Sequence, residues 1–188
     1  WPGGFFRPTA ELLFAVQHMF FGLAPLPYHL VSFTAHIGSV YFAYRLFNLL
    51  PQFHPIAPLA AGLFALHPLN TETVSWISGQ MSLFSSLCVL TTLYFLATTR
   101  HRLALIPIFI LGLGLYENFL LILVLWAALC IYDGRFRAAL SPTSLIPLLC
   151  CSAAYLYWRF IVLNIGSGNY QTALDPVTSA ANITYYLY

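Results

Sequence analysis

The sequence predicts an all-α, multi-pass transmembrane helical bundle with an amphipathic helix lying along the membrane interface. Three observations carry this. Hydrophobic residues make up 60% of the chain and charged ones only 6%, with a mean hydropathy of +0.80, too little polarity for a water-facing surface. The apolar residues fall in long runs separated by short breaks, the pattern of membrane-crossing helices. All seven basic residues are arginines, and Arg45, Arg100, Arg102, Arg135 and Arg137 sit in or beside those breaks, where positive charge sets orientation. The net charge of +2 is spread thinly and leaves no footprint for nucleic acid.

The first element runs from Pro8 to Phe21, with Pro at its first position, Glu11 in its first turn and Gly22 as a stop. About 14 residues are too few for an ordinary crossing, which places this helix along the interface. Leu26 to Leu49 is long enough to cross, and Arg45 puts its far end on the cytoplasmic side. Pro51 to Pro58 turns the chain, and Ile56 to Leu66 climbs back towards a polar island, His67 to Gln80. Met81 to Thr98 crosses again and ends at Arg100-His101-Arg102.

Leu103 to Tyr132, about 30 residues, is long for one crossing and short for two. Gly112, Gly114 and Glu117 favour a broken pair that turns near Glu117, because only then do Arg135 and Arg137 return to the side of Arg100. Leu145 to Leu163 then crosses outward, carrying Arg159, and a polar loop follows from Asn164 to Thr178. The chain reads as a single transmembrane domain over residues 1–188, with about six crossings. It opens without Met and stops inside an apolar run, which reads as part of a longer protein.

This topology gathers Arg7, Glu11, His67, Glu72, Glu117 and Arg159 on the outer side. Charges at a membrane boundary face a cavity or each other, so Arg7 with Glu11 and Arg159 with Glu117 are natural pairs. His29, Ser32, His36 and Ser39 share one stripe of a crossing helix and read as interhelical hydrogen-bonding groups; they cannot build a metal site alone. Ser78, Ser82 and Ser86 read as a small-residue packing stripe. Cys88, Cys130, Cys150 and Cys151 lie in apolar runs and read as buried packing thiols. Asn182-Ile183-Thr184 fits a glycosylation sequon, a pattern that arises often by chance.

The order of several short motifs resembles the membrane glycosyltransferases of the GT-C class, especially bacterial multi-pass proteins related to the tetratricopeptide-containing O-mannosyltransferases. The matching pieces are Phe6-Arg7-Pro8, Phe21-Gly22-Leu23 through Tyr28-His29-Leu30-Val31, His36, and Leu63 through Val74. Ile77-Ser78-Gly79, Glu117 and Trp158-Arg159 follow in the same order. The resemblance implies transfer of a sugar, with inversion, from a polyprenyl-phosphate donor at the outer membrane face. It implies substrate-binding roles for Arg7, His67, Glu72, Glu117 and Arg159, and places the catalytic acidic residues before Trp1. No metal or other cofactor is assigned.

The chain departs from the family pattern at Gln80, Ser82 and Tyr116, where relatives commonly carry charges. Those departures give the alternative reading, a non-catalytic structural subunit that keeps the scaffold inside a larger membrane complex. A transporter or channel ranks third, since no charge-lined pathway is evident. The implied partners are the bilayer, the polyprenyl-phosphate sugar and, on the second reading, other membrane subunits. The resemblance to bacterial proteins favours a bacterial inner membrane over an endoplasmic reticulum.

Overall fold

In a computed structural model of the chain, residues 7–98, 102–132 and 142–162 are described, and they are helices joined by short turns, with no strand among them. The helices are α1 (Pro8–Phe21), α2 (Pro25–Leu49), α3 (Ala57–Leu66), α4 (Pro68–Ser75), α5 (Gln80–Thr98), α6 (Arg102–Leu115), α7 (Leu121–Tyr132) and α8 (Pro142–Tyr157). Short 3-10 turns at His54–Ile56, Ile77–Gly79 and Glu117–Leu120 connect them. The described residues fall into two compact units, Arg7–Cys151 and a second that holds residues 152–162. Arg100, Arg135, Arg137, the loop from Asn164 to Thr178 and the Asn182 sequon lie outside the described residues.

Local chemistry sets the boundaries. Proline opens α1, α2 and α4 within their first two positions, where a missing N–H costs nothing. Gly22 closes α1 at φ +57°, a conformation that disfavours other residues, and its N–H donates to His18 O at 2.8 Å.

Among the described residues one helix, with its lead-in turn at Ile77–Thr98, is long and apolar enough to cross a membrane. The expectation of about six crossings is met in helical character, but not in length. α3, α6 and α7 have 10, 14 and 12 residues. At ~1.5 Å per residue they reach only ~15–21 Å, against a hydrocarbon core of ~30 Å. α2 has 25 residues; it is long enough, but His29, Ser32, Thr34, His36, Ser39 and Arg45 dilute its apolarity.

Contacts fix the directions within Arg7–Cys151. Tyr28 meets Gln80, Gly38 lies against Leu87, and Arg45 meets Tyr94, so α2 and α5 run parallel. α3 returns between them in sequence: His36 Nε2 lies 3.1 Å from Ala65 O, and its ring stacks on Phe64. Gln80 and Tyr28 therefore share one end of the bundle, while Arg45, Tyr41 and Tyr94 share the other.

The expected break after α6 is present, and its cause is different. Gly112 and Gly114 lie inside α6, and the helix ends at Leu115. Their role is close approach: an added Cβ would stand 2.3 Å from the Phe119 ring at Gly112 and 2.1 Å from Thr9 Oγ1 at Gly114. The chain turns through Tyr116 and Glu117–Leu120, and Phe119 folds back edge-on against Phe109 at 5.2 Å. α7 then runs to the Arg45 end, where Tyr132 donates to Gln52 Oε1 at 2.5 Å.

Three packing expectations change. In the serine stripe, Ser78 and Ser86 are exposed and Ser82 is half-buried; α5 packs instead through Gln80, Leu83, Thr92, Leu93 and Leu96, a face offset from the serines. Ser32, His36 and Ser39 are buried as expected, but the serines bond back to Tyr28 O and Ala35 O in their own helix and only His36 reaches another. α3 ends at Leu66, level with His36, so His29 lies two turns beyond its cover and is exposed. Of the cysteines, only Cys130 is buried; Cys88 and Cys151 are half-buried and Cys150 is exposed.

The junction of α1, α2 and α5 is polar and buried. Gln80, 0% exposed, donates Nε2 to Tyr28 O at 2.7 Å and accepts at Oε1 from Gln17 Nε2 at 2.8 Å. Replacing Gln80 by Leu removes both bonds, while Tyr28 O keeps the Ser32 hydroxyl and Gln17 Nε2 keeps Leu13 O at 3.4 Å, so the loss is about 0.5–1.5 kcal/mol per bond. The Gln80→Leu chain is accordingly expected to unfold at a lower temperature in detergent, and a Gln17→Leu, Gln80→Leu double variant is expected to lose less than the sum of the single losses. Strict additivity would contradict the bridge.

Candidate functional site

The polar island is a compact corner beside Gln80. His67 is extended before α4, and its Nδ1 accepts from Leu69 N at 3.3 Å, capping the helix. Asn70 Nδ2 donates back to Phe64 O at 2.5 Å, satisfying a carbonyl at the end of α3. Thr73 Oγ1 donates to Asn70 O at 3.0 Å. After Ser75 the chain returns through Trp76 and the Ile77–Gly79 turn, bringing Gly79 onto Thr73. A Cβ there would lie 2.7 Å from Thr73 O and 3.0 Å from Thr73 Cα.

His67 and Glu72 are both exposed on this corner, and Trp76 is exposed beside them. His67 thus has a structural duty as a cap, which leaves Nε2 as the ring nitrogen available to solvent or ligand. Glu72 accepts the Trp76 N–H at its backbone carbonyl, 2.9 Å, and its carboxylate belongs to the exposed face.

Arg7 stands at the start of α1, and its guanidinium carbon lies 4.3 Å from the centre of the Tyr116 ring. Two residues after Arg7 and two before Tyr116, Thr9 packs on Gly114. α1 and α6 therefore meet antiparallel, with the start of one on the end of the other. Behind this contact an apolar groove of about 280 Å³ runs under α1, lined by Thr9, Leu12, Leu13 and Val16, by Phe84 and Cys88 of α5, and by Leu111 and Leu115 of α6. A cation thus lies next to one end of a greasy slot.

The backbone of Glu117 follows Tyr116 directly and opens the 3-10 turn there; its side chain lies outside the described residues. Arg7, Tyr116, the Glu117 backbone, Gln80 and the polar island are all tied to the α1 end of the bundle, remote in sequence and joined by helix direction. Arg159 belongs to the other compact unit, within a π-helical stretch Trp158–Val162. There its Nη1 donates to Tyr155 Oη at 3.2 Å and its guanidinium lies 5.8 Å from the Phe160 ring centre.

Sequence reasoning passed over Gln17 and treated Gln80 and Tyr116 as lost charges. The signal for Gln17 was present, a lone amide on an otherwise apolar helix. That for Tyr116 was its place as an aromatic at a turn, directly before an acid.

No family model and no solved structure matches the chain. Among curated proteins it is similar to protein O-mannosyl-transferase Tmtc1 of Drosophila melanogaster, 37% identical over 102 residues, which cover 53% of this chain and 11% of that protein. It is similar to protein O-mannosyl-transferase TMTC3 of Homo sapiens, 33% identical over 98 residues, 52% of this chain and 10% of that protein. A protein O-mannosyl-transferase of Caenorhabditis elegans matches at 26% identity over 185 residues, 96% of this chain and 26% of that protein. The chain thus spans between about a tenth and a quarter of the length of these relatives. The similarity is to proteins named as glycosyltransferases, as the motifs implied. These relatives come from animals, so they lend no support to the expected bacterial membrane or to a specifically bacterial GT-C group.

The Gly79 contact gives a direct check. Because the obstructing atoms are backbone, Gly79→Ala is expected to cost about 1–3 kcal/mol and to raise hydrogen exchange over Pro68–Ser75. Unchanged exchange would contradict the close approach.

Proposed function

We propose that the chain is the part of a membrane glycosyltransferase that holds a polyprenyl-phosphate sugar donor at the α1 end of its helical bundle, on the outer face of the membrane. The observation that carries this reading is the guanidinium of Arg7 over the Tyr116 ring, beside one end of the apolar groove under α1. A lipid-linked phosphate needs both parts, a cation for the head and a dry slot for the tail. The similarity to proteins named O-mannosyl-transferases supports sugar transfer as the chemistry.

On this reading α2 and the shorter apolar helices lie in lipid with α5. Large exposed side chains such as Leu23, Leu66, Val124 and Ile131 support that solvent, since water would penalise them. α1 lies along the interface, with Leu12, Met19 and Phe20 exposed to the acyl boundary. His67 and Glu72 line the approach of the acceptor, with Glu117 on the same unit.

The reaction is an inverting displacement. The acceptor hydroxyl oxygen attacks the anomeric carbon while the bond from that carbon to the phosphate oxygen breaks. The lipid phosphate leaves with the bonding electron pair, and the hydroxyl proton passes to a carboxylate supplied from before Trp1. Arg7 stabilises the charge growing on the departing phosphate, an interaction strongest at the transition state.

In the full chain reconstituted in vesicles, Arg7→Ala is expected to lower sugar transfer from a polyprenyl-phosphate donor by about a hundredfold. Arg7→Lys is expected to recover only part of it, because an ammonium lacks the planar fork. Unchanged transfer in Arg7→Ala would overturn the site. Donor binding with no transfer by the unaltered chain would favour the non-catalytic subunit.

A further inference from the structure

We infer that Arg45, Tyr41 and Tyr94 form a binding site for the phosphate of an anionic membrane phospholipid, with one acyl chain of that lipid lying along the seam between α2 and α5. The site stands at the opposite end of the bundle from Arg7 and Gln80. It takes a bilayer lipid, not the sugar donor.

Arg45 sits one turn before the end of α2. Its Nη1 donates to Tyr41 Oη at 2.7 Å, and its Nη2 donates to Tyr94 Oη. Among the described residues no carboxylate pairs with this cation; its partners are two neutral phenols. A charge at the edge of an apolar bundle is costly until a counter-charge or water meets it. A guanidinium has five N–H donors and no acceptor, so the hydroxyl hydrogens of Tyr41 and Tyr94 cannot be given to Arg45. Among the described residues no group accepts either of them. The cluster thus combines one uncompensated positive charge with two spare hydroxyl donors, the complement of a phosphate diester. Tyr41 is exposed, and Arg45 and Tyr94 are half-buried, so the cluster is open from outside the bundle.

The same side of the helix pair carries an apolar groove of about 510 Å³, lined by Leu30, Val31, Thr34 and Ala35 of α2 and by Phe84 and Leu87 of α5. Thr34 and Tyr41 are two helical turns apart, as are Leu87 and Tyr94, so groove and cluster share one face of each helix. Gly38 lies between them and lets α2 close onto Leu87. Thr34 Oγ1 donates to Leu30 O at 2.8 Å, so the hydroxyl in the groove is satisfied within its own helix. Along α2, Thr34 is about 17 Å from Arg45 at ~1.5 Å per residue. Half of a ~30 Å hydrocarbon core is ~15 Å. An acyl chain anchored by its phosphate at Arg45 therefore ends in this groove. A protein helix docked there would fill the groove and leave the cation without a counter-charge, which is why the occupant is a lipid.

The test uses the full chain in phosphatidylcholine vesicles with a trace of phosphatidylglycerol that carries a photoreactive diazirine near the end of one acyl chain. After irradiation the labelled residues are mapped. Label is expected on Leu30, Thr34, Phe84 and Leu87, about tenfold above that from a phosphatidylcholine probe with the same chain. Arg45→Gln, which keeps an N–H donor for a tyrosine and removes the charge, is expected to lower phosphatidylglycerol labelling to the phosphatidylcholine level. Arg45→Lys is expected to keep most of the preference, which separates lost charge from lost fold. Equal labelling by the two lipids in the unaltered chain overturns the inference, as does undiminished labelling in Arg45→Gln. Suppression of the label by inorganic phosphate would assign the cluster to a free anion and overturn the lipid site. A photoreactive residue at position 34 that crosslinks to another polypeptide in place of lipid would overturn it as well.

Discussion

The buried amide of Gln80 is the constraint on which the rest of this arrangement depends. One side chain joins three helices: it donates to the backbone of α2 at Tyr28 and accepts from α1 at Gln17, while itself beginning α5. In a dry environment such a group is strong when satisfied and costly when not. α5 cannot slide along α2 without breaking the bond to Tyr28, and α1 cannot lift without exposing Gln17. The parallel pairing of α2 with α5, and the course of α1 across the bundle end, both follow from that point.

The second tie, Arg7 and Thr9 on Tyr116 and Gly114, holds the opposite end of α1. Between the two ties α1 closes over an apolar groove rather than a packed core. A helix pinned at both ends above an unfilled slot is a different object from a helix that merely packs. It keeps a cavity of defined length next to a cation, and that combination suits an amphiphile with an anionic head. The other end of the bundle has a different character, with Arg45 held by Tyr41 and Tyr94 and with Tyr132 bonded to Gln52. Tyrosines and a basic residue at one level suit a lipid headgroup boundary.

Helical class, the bounds of α1 and the turn near Glu117 were legible in the sequence, because proline and glycine punctuation and the spacing of arginines report them locally. The gathering of Arg7, His67 and the Glu117 backbone at one end was also legible, since it follows from the alternation of helix directions. What local pattern could not report was the use of particular side chains. Gln80 read as a missing charge, but burial made it a bridge; Gly112 and Gly114 read as helix breakers, but lie inside α6 because Phe119 and Thr9 need their space. The serine spacing suggested a packing face, yet the face is chosen by the apolar residues that α2 and α6 can cover. Such choices are made by tertiary partners, and the number of apolar residues in a run does not fix how far the helix runs.

The central claim, that the α1 end of the bundle holds a lipid-linked phosphate, is tested most directly by photocrosslinking. A polyprenyl-phosphate sugar with a photoreactive group in its first isoprene unit would be irradiated with the full chain in vesicles and the labelled peptides mapped. The account predicts label on α1 and α6, around Leu12, Val16, Leu111 and Leu115, competed away by unmodified donor. Label concentrated on the groove at the opposite end, lined by Leu46, Leu50, Phe53, Leu125 and Leu129, would contradict it.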